Sequence, residues 1–264
     1  MSLSAFDFTH ALVREPARSV TDGLRDGDHA GPTYDAVKRE HEAYVATLRK
    51  LGLEVDELPA LEDYPDSIFV EDPALVFSEG AILLRPGAPT RSGEVVEIVS
   101  ELEVRFDRVL TLGDGYVDGG DVLTTPDEVL IGLSARTDAA GAKALITALA
   151  ELGRKGRVVT TPPGVLHFKT GCGLIDEETV AIAAALDDAE MFGALERMVL
   201  PADEEAAANI LRIRDTVLIG EGFPKTRGMI ENRGVKTLAL PISEIAKIDA
   251  GLSCMSLRWR AVAS

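Results

Sequence analysis

The sequence predicts an α/β protein of small mixed sheets arranged around a centre, in one domain over residues 1–264. Three observations carry this. Short apolar strands bounded by turn residues alternate with single helices along the whole chain. The stretches LGLEVDELPA, GRKGRVVTTPP and NRGVKTLALPI share one shape, glycine then an alternating strand then proline. They read as a degenerate structural repeat of roughly 50 to 80 residues. No Ser- or Pro-rich linker cuts the chain. A doubly wound sheet is the rival, but no GxGxxG follows a first strand and no Walker sequence is present.

Taken in order, THALVRE is the opening strand and TDGLRDGDHAGPT a polar loop long enough to cover a site. PTYDAVKREHEAYVATLRKLG is a helix, with Tyr34, Val37, His41, Tyr44, Val45 and Leu48 at helical spacing and Gly52 as the stop. EVDELPA, SIFVED, ALVFSEG, AILLRPG and EVRFDRVL follow as strands, and DVLTTPDEVLIGL as a hairpin about Pro126-Asp127. DAAGAKALITALAE, residues 138–151, is a helix with Asp138 as N-cap. GRVVTTP, GCGLIDEETVAIAAAL, RMVLPA, RDTVLIGEGF and KTLALPI add strands. Short helices are expected near Asp203, at Pro224, a good first helical residue, and over SEIAKIDAG with Ser243 as N-cap.

Composition narrows the function. Apolar residues make up 46% of 264, which argues against disorder, and with only 5% aromatics the core must rest on Ala, Leu and Val. A formal net charge of −17 excludes a phosphate-reading nucleic-acid binder and suits, without singling out, a cationic ligand. No apolar run approaches the roughly 18 residues of a membrane span, and no secretory leader is recognised. Two cysteines, Cys172 and Cys254, fit a reducing cytoplasm and rule out a four-thiolate metal site within one chain.

Four stretches can carry chemistry. PDSIFVED, residues 65–72, sets Asp66, Glu71 and Asp72 about an apolar strand; such carboxylates can grip a guanidinium, or simply cap turns. On a strand, Asp66 and Asp72 share a face and Glu71 points away. YVDGGDVL packs two aspartates around two glycines, either a tight acidic site or an Asx turn. GVLHFKTGCG holds His167, a packed histidine or an acid/base, and Cys172, which reads as core. GLSC holds Cys254, a buried spacer or a nucleophile, for which His167 is the best partner.

Together and in this order, these stretches resemble the dimethylarginine dimethylaminohydrolase family of the guanidino-group-modifying superfamily, which includes arginine deiminase. The resemblance covers nearly the whole chain, from THALVRE through PDSIFVEDPALV, LLRPGAPTR, VDGGDVLTT, VLIGLSARTDAAGA, VLHFKTG and LPADEEAAANIL to LSCMS. It implies a five-bladed α/β propeller, the pentein fold, with the active site on its axis. It implies hydrolysis of dimethylarginine to citrulline and dimethylamine through a covalent thiouronium, without metal or cofactor. The implied catalytic residues are Cys254 as nucleophile, His167 as acid/base and Asp118 as carboxylate. Asp66 would hold the guanidinium, with Glu71 and Asp72 in the same pocket. Arg91 and Arg136 would meet the substrate carboxylate, Asp249 would line the pocket, and loop 21–31 would be a lid touching substrate through Leu24.

The implied partner is a small cationic guanidino compound. A homodimer is compatible with the sequence, which does not fix the oligomeric state. Deiminases typically carry an acid two residues after the histidine, where this chain has His167-Phe168-Lys169. That departure favours an alkylated guanidine. Some relatives also have Glu where this chain has Asp118. The rivals are an arginine deiminase and a non-catalytic propeller used for binding. The acids around Cys254 should raise its pKa, so the cationic substrate or protonated His167 is expected to stabilise the thiolate.

Overall fold

The two ends of the chain meet in one sheet. β1 (His10–Arg14) pairs antiparallel with the last strand, β15 (Leu257–Trp259), and parallel with β2 (Glu54–Leu58). The structure, a computed structural model, describes residues 6–26 and 30–261. Four further three-stranded sheets follow one plan. They are β3 (Ala74–Phe77), β4 (Gly80–Leu83) and β5 (Val109–Thr111); β6 (Val122–Thr124), β7 (Val129–Leu133) and β8 (Gly156–Thr160); β9 (Cys172–Leu174), β10 (Thr179–Ile182) and β11 (Glu196–Val199); and β12 (Leu211–Ile213), β13 (Thr216–Gly220) and β14 (Lys236–Leu240). In each, an antiparallel hairpin is followed by a crossover to a parallel outer strand.

The crossovers are α1 (Tyr34–Lys50), α2 (Val96–Arg105), α3 (Ala139–Glu151) and α4 (Pro224–Glu231); the fourth sheet uses a 3-10 turn, Ala184–Leu186, instead. Middle strands are buried on both faces and so read as continuous apolar runs. Alternate residues of each middle strand feed two different apolar clusters. Ala11 and Val13 pack with Leu218 of the last sheet, while Leu12 packs with Leu83 of the second. Ile82 joins the third sheet through Ile131, Leu130 joins the fourth through Val180, and Ala181 joins the last through Val217. Five clusters therefore sit between five successive sheets, and the ring closes. This is the five-bladed propeller expected.

The recurring glycine–strand–proline stretches are β2, β8 and β14, all outer strands with one half-exposed face, which is why they alternate. The inner strands begin at residues 74, 122, 172, 211 and 257, so repeats are 48, 50, 39 and 46 residues long, mostly shorter than expected. These inner strands line an axial cavity of about 510 Å³.

Three elements differ from expectation. SIFVED is not a strand. Ser67, Phe69 and Asp72 donate backbone N–H groups to Tyr64, Asp66 and Phe69, forming successive turns. EVRFDRVL is split: Arg105 ends α2, and only residues from Val109 are strand. The β-branched residues of VVEIV mask that helix. Ser243 is no helix cap. The short turn Ile245–Ile248 is instead capped by Glu40, which accepts from Ser243 Oγ and from the backbone N–H groups of Glu244 and Ile245.

Candidate active site

Each connection from one outer strand to the next inner strand ends near the axis. Asp72 lies two residues before β3, Asp118 four before β6, His167 five before β9, Asn209 two before β12 and Cys254 three before β15. Asp72, His167 and Cys254 face a cavity of about 210 Å³, together with Asp66, Arg136 and Leu24. Consecutive residues divide between the two cavities: Glu71 and Ser253 face the axial one, Asp72 and Cys254 the smaller one.

The DGGD stretch needs its glycines because other backbone lies against it. A Cβ on Gly119 would stand 1.9 Å from the Glu71 carbonyl, and one on Gly120 2.8 Å from His167 Nδ1. With those contacts made, Gly120 donates its N–H to Asp72 Oδ1 at 2.9 Å. Asp118 is fully buried; it accepts from Gly87 N at 2.6 Å through Oδ1 and meets His167 Nε2 at 3.1 Å through Oδ2. Arg136 Nη1 stands 3.8 Å from the same oxygen. Asp121, the second acid, is a support. It accepts from Ser134 Oγ, Thr137 Oγ1 and the Phe168 N–H, pinning the chain next to His167.

Burial disfavours a charged His167, but the Asp118 hydrogen bond and the charges of Asp72 and Asp121 outweigh it and raise its pKa above 6.5. Burial also disfavours ionised Asp72, yet Arg91, His167 and the Gly120 N–H hold it below the ordinary range, so it is an anion. Asp66 is pushed up by burial despite Arg91. Burial and the charges of Glu71 and Asp72 raise the Cys254 pKa, against a backbone hydrogen bond from Gly251 and the charge on Lys169. Both shifts favour the protonated forms, a thiol and an imidazolium lining one cavity.

Oxygens of Asp72 and Asp118 and a His167 nitrogen lie within 4.8 Å of one another, a grouping that could hold a metal ion. All four carboxylate oxygens already meet Arg91, Gly120, Gly87 or His167, so such an ion would have to share them.

The arginine deiminase family model matches residues 56–198. The chain is 37% identical over 257 residues to the N(G),N(G)-dimethylarginine dimethylaminohydrolase of Pseudomonas aeruginosa, covering 96% of this chain and 100% of that protein. It belongs to the dimethylarginine dimethylaminohydrolase family. The enzyme of that name from Streptomyces coelicolor is 33% identical over 256 residues, covering 95% of this chain and 96% of its own. A solved structure of the P. aeruginosa enzyme, a cysteine-to-serine variant complexed with citrulline, superposes with a TM-score of 0.92 at 36% identity, covering 96% of this chain and all of that one.

Within this dimethylarginine dimethylaminohydrolase family member, several residues stand apart from their expected places. Glu71 turns its carboxylate away from the small cavity, to Lys169 Nζ at 2.6 Å, Arg258 Nη2 at 3.1 Å and Ser253 Oγ at 3.2 Å. Arg91 borders the cavity, but its guanidinium is committed to Asp72, Glu94 and the carbonyls of Asp66 and Phe69. Leu24 and Asp249 do line the cavity. Leu24 donates its N–H to Asp66 Oδ1 at 3.0 Å, and Asp26 N–H donates to Asp249 Oδ2 at 2.6 Å, so two carboxylates hold the loop across the mouth. Residues 27–29 of the expected lid lie outside the described residues. Sequence reasoning missed Glu94 and Asn209, and flagged Asp121 in DGGD without giving it a role of its own. Glu94 could have been suspected from the Arg91-x-x-Glu94 spacing.

Proposed function

We propose that this protein hydrolyses N(omega),N(omega)-dimethyl-L-arginine to L-citrulline and dimethylamine, and the monomethyl compound to methylamine, in the cytoplasm. One observation carries it: a thiol, an acid-anchored imidazole and a buried carboxylate anion share one cavity whose rim holds Arg136. The P. aeruginosa relative with citrulline in place supports the reading, and two free cysteines suit the reducing compartment.

Asp72 and Asp118 hold the guanidinium nitrogens in plane, where the family resemblance implied Asp66 with Asp118. Asp66, which accepts the Leu24 N–H, takes the amino-acid end with Arg136. Arg91 positions Asp72. The bound cation offsets the negative field of Glu71 and Asp72 and lets Cys254 lose its proton. The thiolate attacks the guanidinium carbon, and His167 protonates the nitrogen that leaves as dimethylamine. A thiouronium on Cys254 remains. His167 then takes a proton from water as its oxygen adds to the same carbon; the carbon–sulfur bond breaks and citrulline departs.

Position 169 supports the alkylated substrate. Lys169 turns to Glu71, so no acid stands there to bind an N–H where a methyl group must sit. The test is to incubate the protein with asymmetric dimethylarginine or arginine, with Cys254→Ser as control, and quantify citrulline and amine. Citrulline with dimethylamine from the first substrate, lost in the variant, is expected. Citrulline with ammonia from arginine would make it a deiminase, and no turnover of any guanidine would favour a binding module.

A further inference from the structure

Of the five connections that reach the axis, four deliver Asp72, Asp118, His167 and Cys254. The remaining one delivers Asn209, from the stretch EAAANIL. Its side chain contacts the nucleophile turn twice. Oδ1 accepts the Ser253 N–H at 3.0 Å, and Nδ2 donates to Cys254 Sγ at 3.6 Å. The Ser253 N–H needs an acceptor, which fixes the oxygen of the amide on that side and leaves the nitrogen for sulfur. The turn is shaped around this amide. Cys254 N–H donates to the Gly251 carbonyl at 3.3 Å, and a Cβ on Gly251 would stand 2.4 Å from Asn209 Cγ. Glycine at 251 is thus the condition for the approach of Asn209.

We infer that Asn209 is a positioning residue that prepares Cys254: its carbonyl fixes the turn through Ser253, and its amide N–H donates to sulfur as the thiolate forms. This rests on the reading of Cys254 as the nucleophile. The charges of Glu71 and Asp72 oppose ionisation of the sulfur, so a neutral donor beside it favours the charged form where the surrounding field does not. A carboxamide accepts through one atom and donates through another, so it serves the Ser253 N–H and the sulfur at once. Aspartate at this place keeps the acceptor for Ser253, loses the donor and adds a negative charge.

The experiment compares the full-length protein with Asn209→Asp and Asn209→Ala. Alkylation of Cys254 by iodoacetamide is followed against pH, alongside kcat/KM and the melting temperature, with Cys254→Ser as control. Asn209→Ala should raise the thiol inflection by about one pH unit, and so lower alkylation at neutral pH about tenfold. Asn209→Asp should raise it further while melting close to the parent. A parental inflection in folded Asn209→Asp overturns the inference, because a merely structural amide is replaced by its carboxylate without loss of the Ser253 contact. Should Asn209→Asp not fold, a parental inflection in Asn209→Ala overturns it equally. Turnover surviving in Cys254→Ser would sink the assignment of the nucleophile instead, an outcome separate from either profile.

Discussion

Replacing Arg91 by methionine separates two roles that its position at the cavity would allow. The side chain is 4% exposed, with Asp72 at 7% and Glu94 at 3%. It donates to Glu94 at 3.0 and 2.6 Å, to Asp72, and to the carbonyls of Asp66 and Phe69 at 3.1 and 3.0 Å. Methionine fills most of the volume but takes the guanidinium from two buried carboxylates, leaving Asp72 only His167 and the Gly120 N–H. Removing one partner of a buried pair costs about 3–5 kcal/mol. At about 2–4 °C per kcal/mol, the melting temperature should fall by roughly 6–20 °C. In the parent, Asp72 has a depressed pKa, so its contribution is present above the unfolded carboxyl pKa and lost as pH falls through the depressed value. Without Arg91, burial dominates and raises both carboxyls. The variant should therefore regain stability as the pH falls from 7 toward 5. Adding Glu94→Gln should recover part of the loss, since the two changes are coupled. Scanning calorimetry across pH is the assay. A variant that melts like the parent and shows only a raised KM would refute the reasoning and return Arg91 to the substrate carboxylate.

Three further outcomes are expected. His41 is buried with an unpartnered Nε2, and burial lowers its pKa from 6.5 to about 4. The unfolded chain takes up that proton first, so about 3 kcal/mol of stability should be lost as pH falls from 6.5 to 4; denaturant titration of His41→Leu should show that part of the slope gone. Gly120→Ala puts a Cβ 2.8 Å from His167 Nδ1 and 3.1 Å from Asp72 Oδ1. It should cut kcat about 10²-fold in a folded protein, and a fully active variant would show the imidazole is not held there. Asp249 has a left-handed backbone, φ 53°, which asparagine tolerates. Asp249→Asn should weaken the grip on the Asp26 N–H and raise KM about fivefold, whereas a loss in kcat alone would mean the contact serves chemistry and not closure.

Much of the fold was legible because its units are local. The α1 period, the Asp138 cap, whose side chain accepts from Gly141, and the Pro126-Asp127 hairpin each depend on neighbours in sequence. What failed depends on partners far along the chain. SIFVED has the composition of a strand, but a guanidinium some twenty residues away donates to the Asp66 and Phe69 carbonyls. Ser243 has the right type for a cap, yet Glu40, 203 residues distant, does the capping. The residues of the small cavity were legible chiefly as motifs. No periodicity could have shown that β1 and β15 close the ring and bring Cys254 to the same cavity as Asp72.

The division of labour between Glu71 and Asp72 shows why residue type and proximity do not suffice to assign a site. The two are adjacent acids, both nearly buried, and their side chains enter different cavities. Asp72 is kept anionic by Arg91 and Gly120 facing the ligand space. Glu71 is neutralised by Lys169 and Arg258, and its backbone N–H supports the Cys254 carbonyl at 3.2 Å. Its charge still reaches the sulfur and opposes ionisation. The same ion pairs that bind the connections together at the axis therefore set how much help the thiol needs, and a cationic substrate and the Asn209 amide are the two sources of help the geometry offers.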